Sequence, residues 1–145
     1  IHTIFETAKA NNVALIIRLP LASGLLAGKF TKSSEFASND HRNFNRDGRL
    51  FNVGETFAGL PFEKGVELAD ALKTFVPDNM TMAQWAMRWI LDYDAVSVVI
   101  PGASRPEQAA QNAAVSELEP LGEEKHERLT TFYEERVEAF IRGPY

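Results

Sequence analysis

The sequence predicts an α/β architecture with parallel strands, and it predicts that this architecture is incomplete within the chain. Two short apolar runs, VALII at 13–17 and AVSVVI at 95–100, have the continuous β-rich pattern of strands that are buried on both faces. Helices are predicted between and after these two runs, as in a parallel α/β sheet. Because two parallel strands alone do not make a stable sheet, we expect each to need a further neighbour, from upstream sequence or from another chain.

About five helices are predicted around the two strands. They span roughly 3–11, 61–76, 81–91, 105–116 and 122–141, and the chain ends in a tail at 142–145. Thr81 and Gln84 have the spacing of a capping box at the start of the third helix, and Ser104 and Glu107 have the same spacing before the fourth. The last helix carries an apolar stripe made of Leu129, Phe132, Tyr133, Val137, Phe140 and Ile141.

Residues 31–60 are predicted to form a long functional loop, because this stretch is polar, irregular and rich in turn residues. The phenylalanines scattered through it favour a loop that packs onto the rest of the protein. Within it, Asn43-x-Asn45-x-Asp47-Gly48 resembles the start of a calcium loop. Calcium is disfavoured because Gly54 stands where the bidentate acid should be and no helices flank the loop.

Bulk composition bounds the class of protein. The chain has 145 residues and a net charge of −5, which argues against nucleic acid or an acidic membrane as the main partner. It has no cysteine, so a reducing, cytoplasmic location is expected. No apolar run approaches the roughly 18 residues of a membrane helix. The chain begins at Ile1 rather than Met, and we expect 1–145 to be one domain or a piece of a longer protein.

No metal site is predicted from the histidines, because the three of them lack metal-ligand spacing. His126 lies in the charged stretch EEKHER and is predicted to sit on a solvated helix face with i,i+4 pairs.

The stretch VVIPGASRPEQ, at 98–108, leads from the second strand into the fourth helix. Gly102 leaves room for close approach to the backbone, and free N–H groups at a helix start attract anions. Arg105 adds a guanidinium that suits phosphate, while Gln108 and Asn112 follow on one face with the donors and acceptors that a purine edge requires. Ligands bind at this end of the strands in parallel sheets. The alternative is a solvated helix face with an ordinary cap.

The stretch RLPLASGLLAGK, at 18–29, follows the first strand in the same way. Ser23 and Gly24 present small side chains and backbone amides, and Lys29 comes one short turn later, as a pyrophosphate cradle would need. The stretch is not a P-loop, because Phe30 stands where Ser or Thr is required, and neither stretch contains GxGxxG. The alternative is a strand–helix connection selected for its turn residues.

Taken together, LPLASGLLAGKF and VIPGASRPEQAAQN resemble the C-terminal half of the aldo-keto reductases, and TMAQWAMRWIL resembles the helix before their last strand. The resemblance covers the whole chain but only the last portion of the family's (β/α)8 TIM barrel, with strands seven and eight. It implies an NADP(H) cofactor, a small-molecule carbonyl substrate and a missing N-terminal part of the barrel as partner. Phosphate sites of such barrels cluster at the loops after strands 7 and 8.

The resemblance also implies which residues would hold NADP(H). Arg18 would lie beside the nicotinamide, Gly24 would make the turn and Lys29 would reach a phosphate. The segment 31–60 would be a variable loop over the active site, from which Arg42 would fold over the cofactor. The residues that would line the pyrophosphate are Leu19, Pro20, Leu21, Ala22 and Ser23. Those that would hold the 2′-phosphate, adenine and ribose are Gly102, Ser104, Arg105, Gln108, Gln111 and Asn112.

The chain departs from the family pattern in three respects. Arg18 stands where a Trp or Tyr ring often stacks on the nicotinamide, and Leu19 stands where many members have Ser. The family's catalytic Asp, Tyr, Lys and His come from earlier strands that no segment here matches, so no catalytic residue is assigned and the chain alone is expected to be inactive. The alternatives are a non-catalytic NADP(H)-sensing or interaction module of the same fold, or a truncated inactive product.

Overall fold

A computed structural model describes residues 2–143, so Ile1 and the last two residues of the predicted tail lie outside the described residues. The two strands are β1 (Leu15–Arg18) and β2 (Val96–Ile100). The helices are α1 (His2–Ala10), α2 (His41–Phe44), α3 (Phe62–Leu72), α4 (Met82–Leu91), α5 (Pro106–Ala113) and α6 (Glu123–Phe132). Shorter 3₁₀ turns span 22–27, 53–55, 57–59, 73–75, 114–117 and 138–140, and a π turn spans 133–137.

The two strands pair directly and in parallel, which confirms the predicted α/β arrangement. The prediction that both strands are buried on both faces is wrong for this chain. Ile16 on β1 is 62% exposed, and Val98 and Ile100 on β2 are 42% and 53% exposed. The apolar pattern of the strands is that of a fully covered sheet, but the elements within residues 2–143 leave much of the pair uncovered.

The start of α4 confirms one predicted capping box, and the start of α5 contradicts the other. Thr81 Oγ1 accepts from the Gln84 amide at 3.2 Å, and Gln84 Oε1 accepts from the Thr81 amide at 2.9 Å. At α5 the N-cap residue is Arg105, and its side chain makes no capping hydrogen bond. Ser104 therefore lies one residue too early to cap, and its hydroxyl donates instead to Gln108 Oε1 at 3.0 Å.

Three predicted helices have shorter α-helical segments than expected, because the hydrogen-bond spacing of each changes to that of a 3₁₀ or π turn before the predicted end. The helices α3 and α5 pass into 3₁₀ turns at 73–75 and 114–117. After α6 the chain widens into the π turn and then tightens again. The predicted stripe is therefore only partly buried: Phe132 is buried, while Tyr133 and Phe140 are 39% and 42% exposed.

Two clusters of buried side chains form the core, and α3 contributes to both. The close packing of α3 on the turn at 22–27 depends on Gly65, because a Cβ at this position would lie 2.7 Å from Leu25 Cδ1. The first cluster contains Leu25, Phe57, Leu60, Phe62, Val66, Leu68 and Phe132. The second contains Ala69, Met82, Trp85, Ala86 and Leu121. The first cluster thereby ties the loop after β1 and the long loop 31–60 into the core.

Candidate functional site

The two stretches singled out in the sequence leave the same edge of the strand pair. Arg18, the last residue of β1, is the register partner of Ile100, the last residue of β2. Because the strands are parallel and adjacent, their carboxyl ends meet and the following loops begin side by side. The loop at 18–24 is called the first loop below, and the loop at 101–105 the second loop.

The backbone of the first loop is held in conformations that most residues avoid. Leu19, Ala22 and Ser23 have φ of 54°, 47° and 57°, and Gly24 follows at 100°. Non-glycine residues in this left-handed region cost free energy and cluster at ligand sites. A Cβ at Gly24 would come within 3.0 Å of the Phe30 ring, so glycine also permits a close approach here. Within this loop the amides of Ala22 and Gly24 donate to the carbonyls of Leu19 and Leu21 at 3.0 and 2.8 Å, so the turn is closed by its own backbone hydrogen bonds.

A contact with the long loop fixes the first loop in place. The Ser23 hydroxyl donates to the Glu55 carbonyl at 3.4 Å and accepts from the Phe57 amide at 3.2 Å. Beside it, Arg18 Nη2 lies 3.0 Å from Glu55 Oε2. The sequence analysis missed Glu55, which lies 37 positions after Arg18 and carries no local pattern that connects the two.

The phenylalanines of the long loop pack as the sequence predicts. Phe36 and Phe57 meet Phe30 and Phe62 in a cluster whose ring centroids lie 4.9 to 6.5 Å apart. Phe57 is fully buried within it. Such separations allow favourable edge and tilted ring contacts. The long loop is therefore part of the core, and this anchors the residues that it presents to the first loop.

The motif that resembled a calcium loop has a structural role instead. Asn45 is fully buried, and its Oδ1 accepts from the amides of Leu50 and Phe51 at 3.1 and 3.0 Å. Its Nδ2 donates to Thr56 Oγ1 at 3.1 Å. The buried Asn45 side chain thus holds the backbone of the long loop together through the amides of Leu50 and Phe51. Across residues 2–143, no group of three acidic or histidine side chains is placed to hold a metal ion.

Arg42 lies against the first loop and is held by a carboxylate. Its Nη2 lies 2.6 Å from Asp40 Oδ2, and its guanidinium sits 4.6 Å from the centre of the Phe36 ring. A Cβ placed on Gly24 would lie 3.8 Å from Arg42 Nη1. The structure therefore places Arg42 beside the first loop, while its predicted position over the cofactor stays a prediction. Asp40, which positions it, was missed in the sequence.

The Asp40–Arg42 pair should make stability depend on acid pH. The Arg42 guanidinium lowers the pKa of Asp40 from 3.8 to about 2. The pair therefore stabilises the fold above pH ~4, and that contribution is lost as the pH falls from ~4 through ~2. We expect Asp40→Asn, which can still cap α2, to lower the free energy of unfolding by about 1 kcal/mol at pH 7, and by much less than that at pH 2, where part of the ion-pair contribution remains. Urea unfolding at pH 7, 4 and 2 measures the difference.

A matched control for this prediction is Asp78→Asn, which alters an exposed aspartate with no ion pair in the described residues. This change should leave the free energy of unfolding nearly constant at all three pH values. An Asp40→Asn deficit that persisted undiminished at pH 2 would contradict the ion-pair explanation and would assign the loss to the N-cap hydrogen bond.

The second loop is organised by side chains of α5. Gln108 Oε1 accepts from the Ser104 amide at 2.9 Å and from the Ser104 hydroxyl at 3.0 Å. Asn112 Nδ2 donates to the Gly102 carbonyl at 3.4 Å. Nothing lies within 4 Å of a Cβ placed on Gly102, so this backbone faces open space. Four residues predicted to touch a nucleotide, Gly102, Ser104, Gln108 and Asn112, are thus grouped around the same short turn.

Cations around the strand ends divide into two groups. Arg18 and Arg42 are paired with carboxylates. Lys29 and Arg105 are exposed, and neither forms an ion pair with any residue in the range 2–143. Each loop therefore carries or adjoins one unpaired cation. Charges of this kind suit phosphate groups, to which guanidinium and ammonium groups donate strong charge-assisted hydrogen bonds.

The remaining predicted residues differ in how far they are accessible. Pro20 is buried, whereas Leu19 is 41% exposed and Gln111 is also exposed. Leu21 packs against the second core cluster and Ala22 against the first, so their contribution to a ligand would come from the backbone.

The prediction that His126 is solvated is wrong. His126 Nε2 lies 2.8 Å from Asp92 Oδ2, and its ring stacks on Trp89 at a centroid distance of 5.9 Å. Asp92 also accepts from the Leu121 amide at 2.9 Å and from Arg88 Nε at 2.8 Å. One side of α6 carries His126 and faces α4, but the charged residues that flank His126 in the sequence did not indicate this contact. This network joins those two helices and lies outside the two loops.

Two adjacent parallel strands whose loops leave a common edge, with helices packed beside them, are compatible with part of an α/β barrel. Comparison with known proteins makes the assignment specific. The chain belongs to the aldo/keto reductase family, whose model matches residues 2–134.

Relatives and a solved structure support this membership. The chain is 34% identical over 109 residues to the L-glyceraldehyde 3-phosphate reductase of Escherichia coli K12, covering 75% of this chain and 30% of that protein. It is 29% identical over 138 residues to a probable voltage-gated potassium channel subunit beta of Arabidopsis thaliana, covering 92% of this chain and 37% of that protein. The chain thus spans about a third of the length of these relatives.

The fold also matches a glycerol dehydrogenase from Gluconobacter oxydans with a TM-score of 0.73 at 21% identity, over 99% of this chain and 42% of that one. This match confirms the prediction of a partial TIM barrel. Within residues 2–143, no helix combines the length and apolarity needed to cross a bilayer.

Proposed function

We propose that the chain is the C-terminal, cofactor-binding portion of an NADPH-dependent aldo-keto reductase that reduces aldehydes or ketones to alcohols. The observation that carries this proposal is the pair of loops that leave adjacent strand ends, with the exposed cation Arg105 on the second loop and the exposed cation Lys29 five positions beyond the first, neither in an ion pair with residues 2–143. The open backbone at Gly102 fits the same ligand. A dinucleotide with separate phosphate groups needs such a divided site.

In this proposal each loop holds one end of NADPH. The first loop and Lys29 hold the pyrophosphate, with Arg18 beside the nicotinamide and Arg42 over the cofactor. The second loop holds the 2′-phosphate through Arg105 and Ser104, which is the basis for preferring NADPH to NADH. Adenine and ribose meet Gln108, Gln111 and Asn112. Bound NADPH would supply the hydride for the carbonyl carbon, and the protein would orient it.

The rest of the barrel would complete the site. The chain covers about a third of its curated relatives, so we propose that upstream strands supply the acid–base residues and the far wall of the substrate pocket. The net charge of −5 and the absence of cysteine support a cytoplasmic enzyme whose partner is a small molecule, with no role for nucleic acid or a membrane.

The proposal is tested by comparing the isolated 145-residue chain with the complete protein that contains it. NADPH binding is followed by quenching of the fluorescence of Trp85 and Trp89, and turnover by NADPH oxidation with 4-nitrobenzaldehyde. We expect the complete protein to bind and oxidise NADPH, and the isolated chain to show no turnover. NADPH oxidation by the isolated chain would overturn the proposal that upstream strands supply the catalytic residues. A complete protein that did not bind NADPH would overturn the proposed reductase function.

A non-catalytic NADP(H)-sensing or interaction module is the second candidate. It is favoured by the similarity to the probable voltage-gated potassium channel subunit beta of Arabidopsis thaliana, which extends over 92% of this chain. This candidate predicts a complete protein that binds NADPH but does not oxidise it with any aldehyde. The same two measurements therefore separate the candidates.

A further inference from the structure

The Arg18–Glu55 pair sets the charge at the substrate end of the proposed site. Arg18 Nη2 lies 3.0 Å from Glu55 Oε2, and Nη1 lies 3.5 Å from Glu55 Oε1. Each terminal nitrogen of the guanidinium therefore faces one of the two carboxylate oxygens. A two-point arrangement of this kind fixes orientation as well as distance.

Glu55 is held by a rigid neighbourhood. Its carbonyl accepts from Ser23, and the two residues after it, Thr56 and Phe57, are fully buried. Thr56 is in turn bound by the buried Asn45. Arg18 is the last residue of β1, so its backbone is fixed by pairing with β2. The pair is thus positioned before any ligand arrives.

This pairing distinguishes Arg18 from the unpaired cations Lys29 and Arg105. Those two keep a net positive charge, whereas Glu55 offsets the charge of Arg18. An anionic group placed beside Arg18 would also meet the Glu55 carboxylate, which repels it at the same short range.

We infer that Glu55 is a specificity-determining residue that makes the reductase select uncharged carbonyl substrates over anionic ones. This inference rests on the proposed function, in which Arg18 lies beside the nicotinamide and therefore near the substrate. Glu55 acts through Arg18, by neutralising and orienting its guanidinium. Removing the carboxylate charge should expose the positive charge of Arg18 and admit substrates that carry a carboxylate or phosphate.

The test compares two aldehydes of the same frame in the complete protein: 4-carboxybenzaldehyde, which is anionic, and methyl 4-formylbenzoate, which is neutral. Wild-type protein should favour the neutral ester. In Glu55→Gln the ratio of kcat/KM for the anionic over the neutral aldehyde should rise about tenfold at low salt. The gain should shrink as ionic strength increases, because an exposed charge is screened.

Three further variants separate charge from structure. Glu55→Asp keeps the carboxylate and should keep the wild-type ratio. Arg18→Gln alone should disfavour the anionic aldehyde further, because Glu55 is then unpaired. The double variant Arg18→Gln/Glu55→Gln removes both charges and should return the ratio close to the wild-type value. Binding of the two aldehydes, measured by fluorescence quenching in the presence of NADP⁺, should show the same order without turnover.

The outcomes distinguish the two proposals. Wild-type turnover together with an unchanged ratio in Glu55→Gln, or a gain that does not depend on salt, overturns the role of Glu55 and leaves the proposed function intact. Failure of the complete wild-type protein to bind NADPH overturns the proposed function, and the inference falls with it.

Discussion

Replacing Phe57 with alanine is expected to lower the free energy of unfolding by about 3–5 kcal/mol, the usual cost of deleting a large ring from a well-packed core. Phe57 is fully buried, and its ring lies 4.9 Å from Phe62 and 5.8 Å from Phe36, centre to centre. Neither neighbour can move into the space without breaking other contacts of the cluster. Urea unfolding followed by far-UV circular dichroism measures the loss.

The matched control is Phe51→Ala in the same loop. Phe51 is 42% exposed and meets one ring, that of Phe44, at 6.3 Å. This change should cost less than about 1 kcal/mol. Equal losses from the two substitutions would contradict the conclusion that the long loop belongs to the core through Phe57.

Replacing Arg105 with alanine in the complete protein is expected to weaken NADPH binding about 30-fold, while NADH binding changes by less than about threefold. The difference corresponds to about 2 kcal/mol, a typical value for a charge-assisted hydrogen bond to phosphate. Arg105 is exposed and forms no ion pair with residues 2–143, so its removal leaves no carboxylate unpaired. Dissociation constants for both cofactors are measured by fluorescence titration.

Lys9→Ala is the control for charge alone. Lys9 pairs with Asp94, just before the amino end of β2 and so at the opposite end of the strands from Gly102. The Lys9→Ala substitution removes one positive charge where no phosphate is proposed. It should change the dissociation constants of NADPH and NADH by no more than about twofold. If Arg105→Ala weakened NADPH and NADH equally, the 2′-phosphate assignment would be wrong.

Local patterns predicted those parts of the fold that short-range physics controls. The continuous apolar runs located both strands, and the Thr81–Gln84 spacing located the start of α4, because strand propensity and helix capping are each decided within a few residues. The adjacency of the two loops followed from the parallel direction of the strands. The Ser104–Glu107 box failed because Arg105 took the N-cap, which the residue types alone did not reveal.

The partners of the site residues could not be predicted, because they depend on chain geometry over long separations. Glu55 reaches Arg18 only because the aromatic cluster folds the long loop back onto the first loop. His126 finds Asp92 only because α6 packs on α4. Exposed strand faces were also unpredictable, since burial on both faces is a property of a whole sheet and not of its strands.

The Ser23 hydroxyl joins the first loop to the backbone on either side of Thr56, with one hydrogen bond to each side. If NADP(H) binds as proposed, this single oxygen couples the stability of the fold to the binding of the cofactor. A substitution deep in the aromatic cluster would lower the abundance of the protein in cells and also raise its KM for the cofactor. A genetic screen for weakened cofactor use would therefore recover substitutions in the aromatic cluster as well as substitutions of residues that contact the nucleotide.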